Sequence, residues 1–310
     1  MLIIHTVSQL KEHISRYKQD ARTIAFVPTM GNLHEGHLQL VSMARKTADI
    51  VVCSIFVNPL QFGAGEDFDK YPKTLQADTE KLQSLGCNIV FAPSVEEIYP
   101  ADDFSVTQGQ TALSKITARS QITARSQITA QSQIIVPGIS DILEGKSRPG
   151  HFTGVATIVA KLFNMVQPDT AVFGEKDYQQ LIVIKRFVKE LCFPVNILSH
   201  PIVREKNGLA MSSRNGYLTE QQKQQAALIY QQLQKIAREL MAGNTDYLQL
   251  EQAAFESLNR YGFRTDYIKI RHPDLSQPVA SKASRELVIL AAAYLGNTRL
   301  IDNLGVELKR

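Results

Sequence analysis

A chain of 310 residues, 44% hydrophobic and 21% charged, is long enough for one large domain or two ordinary ones, and its composition excludes wholesale disorder. Its net charge of +4, with Lys and Arg spread along the sequence, argues against a nucleic-acid-binding face and for a local basic pocket suited to small anions. Three widely spaced cysteines, Cys53, Cys87 and Cys192, lie in apolar company and are expected to be buried free thiols. No window approaches the ~18 uninterrupted apolar residues of a membrane span, so a cytoplasmic protein without a membrane partner is expected.

Residues 2–4 read as a short strand and 7–17 as a helix, through Val7, Leu10, Ile14 and Tyr17. The apolar run 24–27 predicts a strand, 28–37 a turn and 38–47 a helix. The nearly continuous apolar run 50–57 is of the kind a parallel strand covered on both faces requires. Residues 74–85 read as a helix stopped by Gly86, and 88–92 as the next strand. The βαβαβ pattern makes a doubly wound, mostly parallel α/β sheet the economical architecture.

Three tandem hexapeptides then occupy residues 116–133, Ile-Thr-Ala-Arg-Ser-Gln twice and Ile-Thr-Ala-Gln-Ser-Gln once. They are expected to form a surface excursion inserted at about 110–135. A short helix is predicted at 139–143, an amphipathic helix at 153–166, a strand at 170–173, a helix from 178 to about 191 and a strand at 195–198. A boundary near Arg204 divides the chain into residues 1–203 and a smaller α+β part, 204–310. The latter would hold a long helix at 220–241, a second at 246–261 and strands at 267–271, 287–293 and 300–302.

The turn after the second strand carries the chemistry. Its backbone N–H groups and the dipole of the following helix make an anion site, for which phosphate is the obvious guest. Gly31 and Gly36 let a ligand approach the backbone closely, and His34 and His37, three residues apart, aim two donors at one point. Such a pair could instead bind a metal, but no nearby Cys or third His completes a zinc set. The strand at 170–173 repeats this geometry, ending in Gly174-Glu175-Lys176-Asp177. Polar residues beyond the strand at 50–57, Asn58 and Gln61 among them, lie where ligands bind in open α/β sheets.

His34-x-Gly36-His37 with a late Ser-Ser-Arg resembles the nucleotidyltransferase superfamily. The fuller set matches more narrowly: Pro28-Thr29-Met30-Gly31-x-Leu33-His34-x-Gly36-His37, Phe56-Val57-Asn58-Pro59-x-Gln61-Phe62, Tyr71-Pro72-Lys73-Thr74, Arg148-Pro149-Gly150-His151-Phe152, Phe173-Gly174-Glu175-Lys176-Asp177-x-Gln179-Gln180 and Met211-Ser212-Ser213-Arg214-Asn215. In this order, over essentially the whole chain, they resemble the pantothenate synthetase family, the AMP-forming pantoate–β-alanine ligases. The hexapeptide repeat departs from the family, which has a much shorter connection there.

The resemblance implies that ATP with Mg²⁺ activates pantoate as pantoyl adenylate, releasing pyrophosphate, and that the β-alanine amine then displaces AMP. It implies a nucleotide cradle of Met30, Gly31, Asn32, Leu33, His34, Glu35, Gly36 and His37, with Gly174, Glu175, Lys176 and Asp177 on the ribose and adenine side and Val203 near the adenine. His37 would be the essential donor beside His34. Lys176 and Arg214 would hold the phosphates and developing charge with Ser212 and Ser213, next to Met211. Gln61, Gln180, Asn58 and Arg148 would bind pantoate or β-alanine, and Asp78 would reach Mg²⁺ through water. Gln179 is expected to be structural or exposed, and His151 a hydrogen bonder beside Arg148. A homodimer is implied as well. The rival readings are another transferase built on the same turn, and a catalytically silent nucleotide-binding protein.

Overall fold

The computed structural model describes residues 1–63, 65–100, 132–279 and 285–308. Apart from Ser132 and Gln133, the hexapeptide repeat lies outside the described residues.

The first six strands, β1 (Leu2–Ile4), β2 (Ile24–Thr29), β3 (Ile50–Ile55), β4 (Ile89–Phe91), β5 (Thr170–Gly174) and β6 (Asn196–His200), form one sheet in the order β1-β4-β3-β2-β5-β6, every pair parallel. Alternation along each strand sends side chains to two faces. Ile24, Phe26, Ile50, Val52, Ile89 and Phe91 belong to one buried cluster, with α1 (Val7–Gln19), α6 (His151–Val166) and α7 (Tyr178–Glu190). Ala25, Val27, Val51, Cys53 and Val90 belong to another, with α2 (Glu35–Thr47) and α3 (Leu75–Ser84). Covered on both faces, the strands carry the unbroken apolar runs seen in the sequence.

The remaining helices are α4 (Val95–Ile98), α5 (Glu144–Ser147), α8 (Glu220–Ala226), α9 (Leu228–Met241) and α10 (Tyr247–Arg260). An antiparallel sheet of β7 (Arg264–Arg271), β8 (Glu286–Leu295) and β9 (Thr298–Glu307) shares its own core with α9 and α10. The predicted helix at 139–143 is instead a run of turns, with α5 following it. Gly138 (φ 84°) and Leu143 (φ 49°) both take left-handed backbone, which a helix cannot accommodate. The long helix expected at 220–241 divides at Ala227, which keeps right-handed helical angles, so α9 starts directly after α8. Cys53 and Cys87 are buried free thiols; Cys192 is exposed, contrary to expectation, because it takes a left-handed turn (φ 55°) just past the end of α7.

The two sheets meet through polar contacts. Asn303 on β9 donates to Glu175 O (2.8 Å) and Lys176 O (3.0 Å), while Arg204 holds Asp302 at 2.7 and 2.9 Å. Glu144 on α5 accepts from the Tyr267 hydroxyl (2.8 Å) and from Arg299, which also reaches Asp266 at 2.6 Å. The apolar residues Leu143, Leu275, Val288 and Leu290 close the same seam.

Candidate active site

From β2 the chain winds outward through β3 and β4, then returns to lay β5 on the other side of β2. The reversal falls between β2 and β5, where loops leaving the strand ends diverge and open a crevice, the usual ligand position in such sheets. The turn carrying His34 and His37 leaves β2; the Glu175–Asp177 turn carrying Lys176 leaves β5.

The first turn is built around Asp78. Its carboxylate, with no solvent exposure, accepts from Asn32 N (2.8 Å), Leu33 N (2.8 Å) and the Thr74 hydroxyl (2.9 Å). These bonds hold Gly31 (φ 83°) and Asn32 (φ 50°) in left-handed backbone, and a Cβ on Gly31 would lie 3.2 Å from Asp78 Oδ2. Lys81 donates to Leu33 O at 2.7 Å. Asp78, expected to reach Mg²⁺ through water, has both oxygens in the bonds that shape the loop.

His34 caps α2: Gly36 N–H donates to His34 Nδ1 (3.2 Å), and His34 N–H donates to His37 Nδ1 (3.3 Å). With both Nδ1 atoms accepting, each neutral imidazole carries its proton on Nε2, free to donate outward. The rings lie 4.1 Å apart, centroid to centroid. Burial first, then the charge of the His37 neighbour and of Lys176, lowers the His34 pKa to about 3; burial first lowers that of His37 to about 4 despite Asp177. Two neutral donors thus stand beside a lysine. Glu35 is exposed.

The 211–214 segment completes this corner. Ser213 Oγ donates to Asn32 O (3.1 Å), Asn32 Nδ2 to Ser213 O (3.4 Å), and Met211 N to Val203 O (3.0 Å). A Cβ on Gly36 would lie 3.9 Å from Met211 Cβ. Ser212 Oγ accepts from Arg214 N (3.2 Å), and the Arg214 guanidinium meets Asp67 through Nε and Nη2, both at 2.9 Å. Lys176 Nζ has Asp177 at 3.8 Å.

A cleft of about 930 Å³, large enough for a nucleotide, is lined by Arg148, Lys176, Asp177, Ser212 and Arg214 and by residues 294–302 of the antiparallel sheet. A small adjoining cavity of about 30 Å³ brings in Gln180 and His151. His34, His37 and Gln61 line neither. Gln61 is buried at the end of the Pro59–Gln61 turn, where its Nε2 lies 2.9 Å from Met30 Sδ and its Oε1 accepts from Asn58 Nδ2 at 3.1 Å.

Two expected substrate contacts, Asn58 and Arg148, carry bonds to neighbouring residues. Asn58, 1% exposed, also donates to Gly154 O (3.1 Å) and accepts from the Tyr99 hydroxyl (2.9 Å), leaving its amide to brace the turn. Arg148 has its guanidinium on Glu66 (2.8 and 2.7 Å), His151 and Gln61 O, and these bonds bring the Glu66 pKa to about 2 against the opposing effect of burial. Gln179, 2% exposed, is structural: it donates to Ile139 O and Ile142 O and accepts from Glu144 N. Sequence reasoning missed Asp67, Glu66, Arg204 and Asn303. The pair Asp302-Asn303, polar inside an apolar strand, was the available signal for the last.

A family model described as pantoate-beta-alanine ligase matches residues 2–305. Pantothenate synthetase of Pseudomonas putida is 51% identical over 309 residues, covering 100% of this chain and 99% of its own. That of Azotobacter vinelandii is 50% identical over 308 residues, covering 99% and 100%. Among solved structures, Thermus thermophilus pantothenate synthetase superposes with a TM-score of 0.83 at 40% identity, covering 98% of this chain and 99% of that one. Pantoate-beta-alanine ligase from Francisella tularensis, complexed with beta-gamma ATP and beta-alanine, gives 0.75 at 34%, covering 98% and 97%.

Proposed function

This chain belongs to the pantoate–β-alanine ligase family, and from that premise we propose how its residues divide the work. The reaction is the ATP-dependent condensation of pantoate with β-alanine to pantothenate. In the first step a pantoate carboxylate oxygen attacks the α-phosphorus of ATP and the bond to pyrophosphate breaks, giving pantoyl adenylate and pyrophosphate. In the second the β-alanine amine attacks the acyl carbon, loses a proton, and AMP departs with the electrons of the broken C–O bond.

Charge accumulates on the α-phosphate oxygens in the first step, and donors placed for that charge lower its barrier. His34 and His37 donate there through Nε2. Lys176 and Arg214, with Ser212 and Ser213, hold the remaining phosphates, and the Met30–His37 turn, Gly174–Asp177, Met211 and Val203 enclose the nucleotide. Gln61 and Gln180, whose amides both donate and accept, orient pantoate. The observation carrying this reading is the pair of turns at the ends of β2 and β5, which puts two neutral imidazoles within the field of Lys176. Asn58 serves it from behind, through Gln61, while Arg148 stands at the cleft wall and bonds Gln61 O.

Among the described residues no three His, Cys, Asp or Glu side chains gather as a metal cage, and Asp78 accepts from two backbone N–H groups of the loop. Mg²⁺ in this reading arrives as the counter-ion of ATP. Residues 1–203 carry nucleotide and pantoate, 204–310 close over them, and the enzyme works as a cytoplasmic homodimer; among the described residues no helix is long and apolar enough to cross a membrane.

Incubation with ATP, Mg²⁺ and pantoate is expected to release pyrophosphate, and later addition of β-alanine to yield AMP and the amide. His37→Ala is expected to lower the first rate by about 10²–10³. Pyrophosphate appearing without pantoate would point to another transferase, and ATP binding without pyrophosphate to a silent nucleotide binder.

A further inference from the structure

Gln61 stands on a three-residue turn, Pro59–Gln61, outside any strand or long helix, so something else must fix it. The first turn of α6 does so. His151, the first residue of that helix, is 8% exposed and has both ring nitrogens engaged. Nδ1 lies 2.7 Å from Gln61 O and Nε2 lies 3.1 Å from Arg148 Nη1. A carbonyl only accepts and a guanidinium only donates, so one tautomer satisfies both: the proton on Nδ1, the lone pair on Nε2.

Burial first, and the Arg148 charge second, lowers the His151 pKa to about 4, against the Gln61 carbonyl bond and the charges of Glu144 and Glu66, which keeps the ring neutral and the tautomer defined. Arg148 is itself anchored by Glu66 through Nε (2.8 Å) and Nη2 (2.7 Å), and adds a second donor to Gln61 O at 3.3 Å. The contact between helix and turn is tight at backbone level: a Cβ on Gly154 would lie 2.3 Å from Leu60 O.

We infer that His151 is a positioning residue for pantoate, its Nδ1–H fixing the Gln61 peptide while Arg148, held by Glu66, selects the tautomer that can donate. The inference rests on the reading of Gln61 as a pantoate contact. A peptide free to rotate at Gln61 displaces the side-chain amide, and misplacement by about 1 Å is enough to cost on the order of 10²-fold in rate. The nucleotide loop is shaped by Asp78 and meets Gln61 where Gln61 Nε2 lies 2.9 Å from Met30 Sδ, so the larger loss is expected in pantoate binding.

The test is steady-state kinetics of His151→Ala, His151→Gln and His151→Asn with pantoate varied at saturating ATP and then ATP varied at saturating pantoate, beside Gln61→Leu. The Asn amide can stand where Nδ1–H stood; the Gln amide stands nearer Nε2. His151→Ala and His151→Gln are expected to raise the pantoate KM about tenfold or more with the ATP KM within about twofold, and His151→Asn to recover most of the loss. Equal impairment of Asn and Gln variants, or pantoate and ATP KM rising together, would overturn the inference. Gln61→Leu without effect on pantoate KM would overturn the reading of Gln61 itself. Should the variants fold poorly, ¹⁵N NMR of the native protein decides by itself: His151 protonated on Nδ1 is expected, and protonation on Nε2 contradicts the device.

Discussion

Asp78 shows how much one carboxylate can do without touching a ligand. It satisfies two consecutive backbone N–H groups that face inward from the nucleotide loop. Asp78→Ala is expected to orphan both, costing roughly 1–3 kcal/mol for each, and to raise the ATP KM while the Mg²⁺ concentration giving half-maximal rate stays unchanged. Denaturation and initial-rate measurements check the two halves separately. The three inward histidines set a second expectation. The pKa values of His34, His37 and His151 lie at about 3, about 4 and about 4, below their ordinary value, so the unfolded chain binds more protons in the interval above them. Stability from these groups is complete above pH ~6.5 and declines as pH falls toward ~4. Thermal unfolding followed from pH 7 to pH 4.5 should show that decline, and His151→Asn should lessen it. His34 and His37 were legible in the sequence because their spacing and the glycine between them are local. Asp78's partners lie 45 and 46 positions away, a relation that no local pattern encodes.

Element pairing explains why a small substitution on α6 should reach the substrate. Gly154 faces the Pro59–Gln61 turn at a distance that admits no side chain, Leu60 O lying 2.3 Å and Gln61 N 2.8 Å from where a Cβ would stand. Gly154→Ala is expected to destabilise the protein by about 1–3 kcal/mol or more and to raise the pantoate KM, read by chemical denaturation and kinetics on one preparation. The strands were readable because burial on both faces leaves an unbroken apolar run, and the helices because one stripe is apolar. The segment before α5 was misread because Ile139, Ile142 and Leu143 mimic a helical stripe, while left-handed backbone at Gly138 and Leu143 folds them into turns whose carbonyls at Ile139 and Ile142 are met by Gln179.

Across the whole molecule, the antiparallel sheet is tied to the parallel one by charged pairs that water reaches little. Arg299, Glu144 and Asp266 have side-chain exposures of 14%, 10% and 27%. Removing one member leaves another uncompensated, so Arg299→Leu is expected to cost about 3–5 kcal/mol, and Arg299→Leu with Glu144→Leu less than Arg299→Leu alone; urea titrations of both variants check it. Little of this seam was legible from sequence: Asp302-Asn303 stood out as polar inside an apolar strand, but Arg299 and Glu144 read as ordinary surface residues until the second sheet lies against the Lys176 turn. The family resemblance supplied the order of the motifs; only the fold supplies their depth.

The placement of β2 has a consequence for the making of the protein. Its N–H at Ile24 is met by Asp169, 145 positions later, and its second neighbour β5 begins at Thr170. During translation β2 can pair with β3 soon after both leave the ribosome, while its other edge waits for more than a hundred further residues, about 6–23 s of synthesis at common elongation rates of roughly 5–20 residues per second. Throughout that interval the nascent chain offers a central, largely apolar strand with one side open, the condition in which strands join the wrong partner. The nucleotide loop therefore belongs to a strand whose pairing is completed late, and the yield of active enzyme depends on keeping that edge single until β5 arrives.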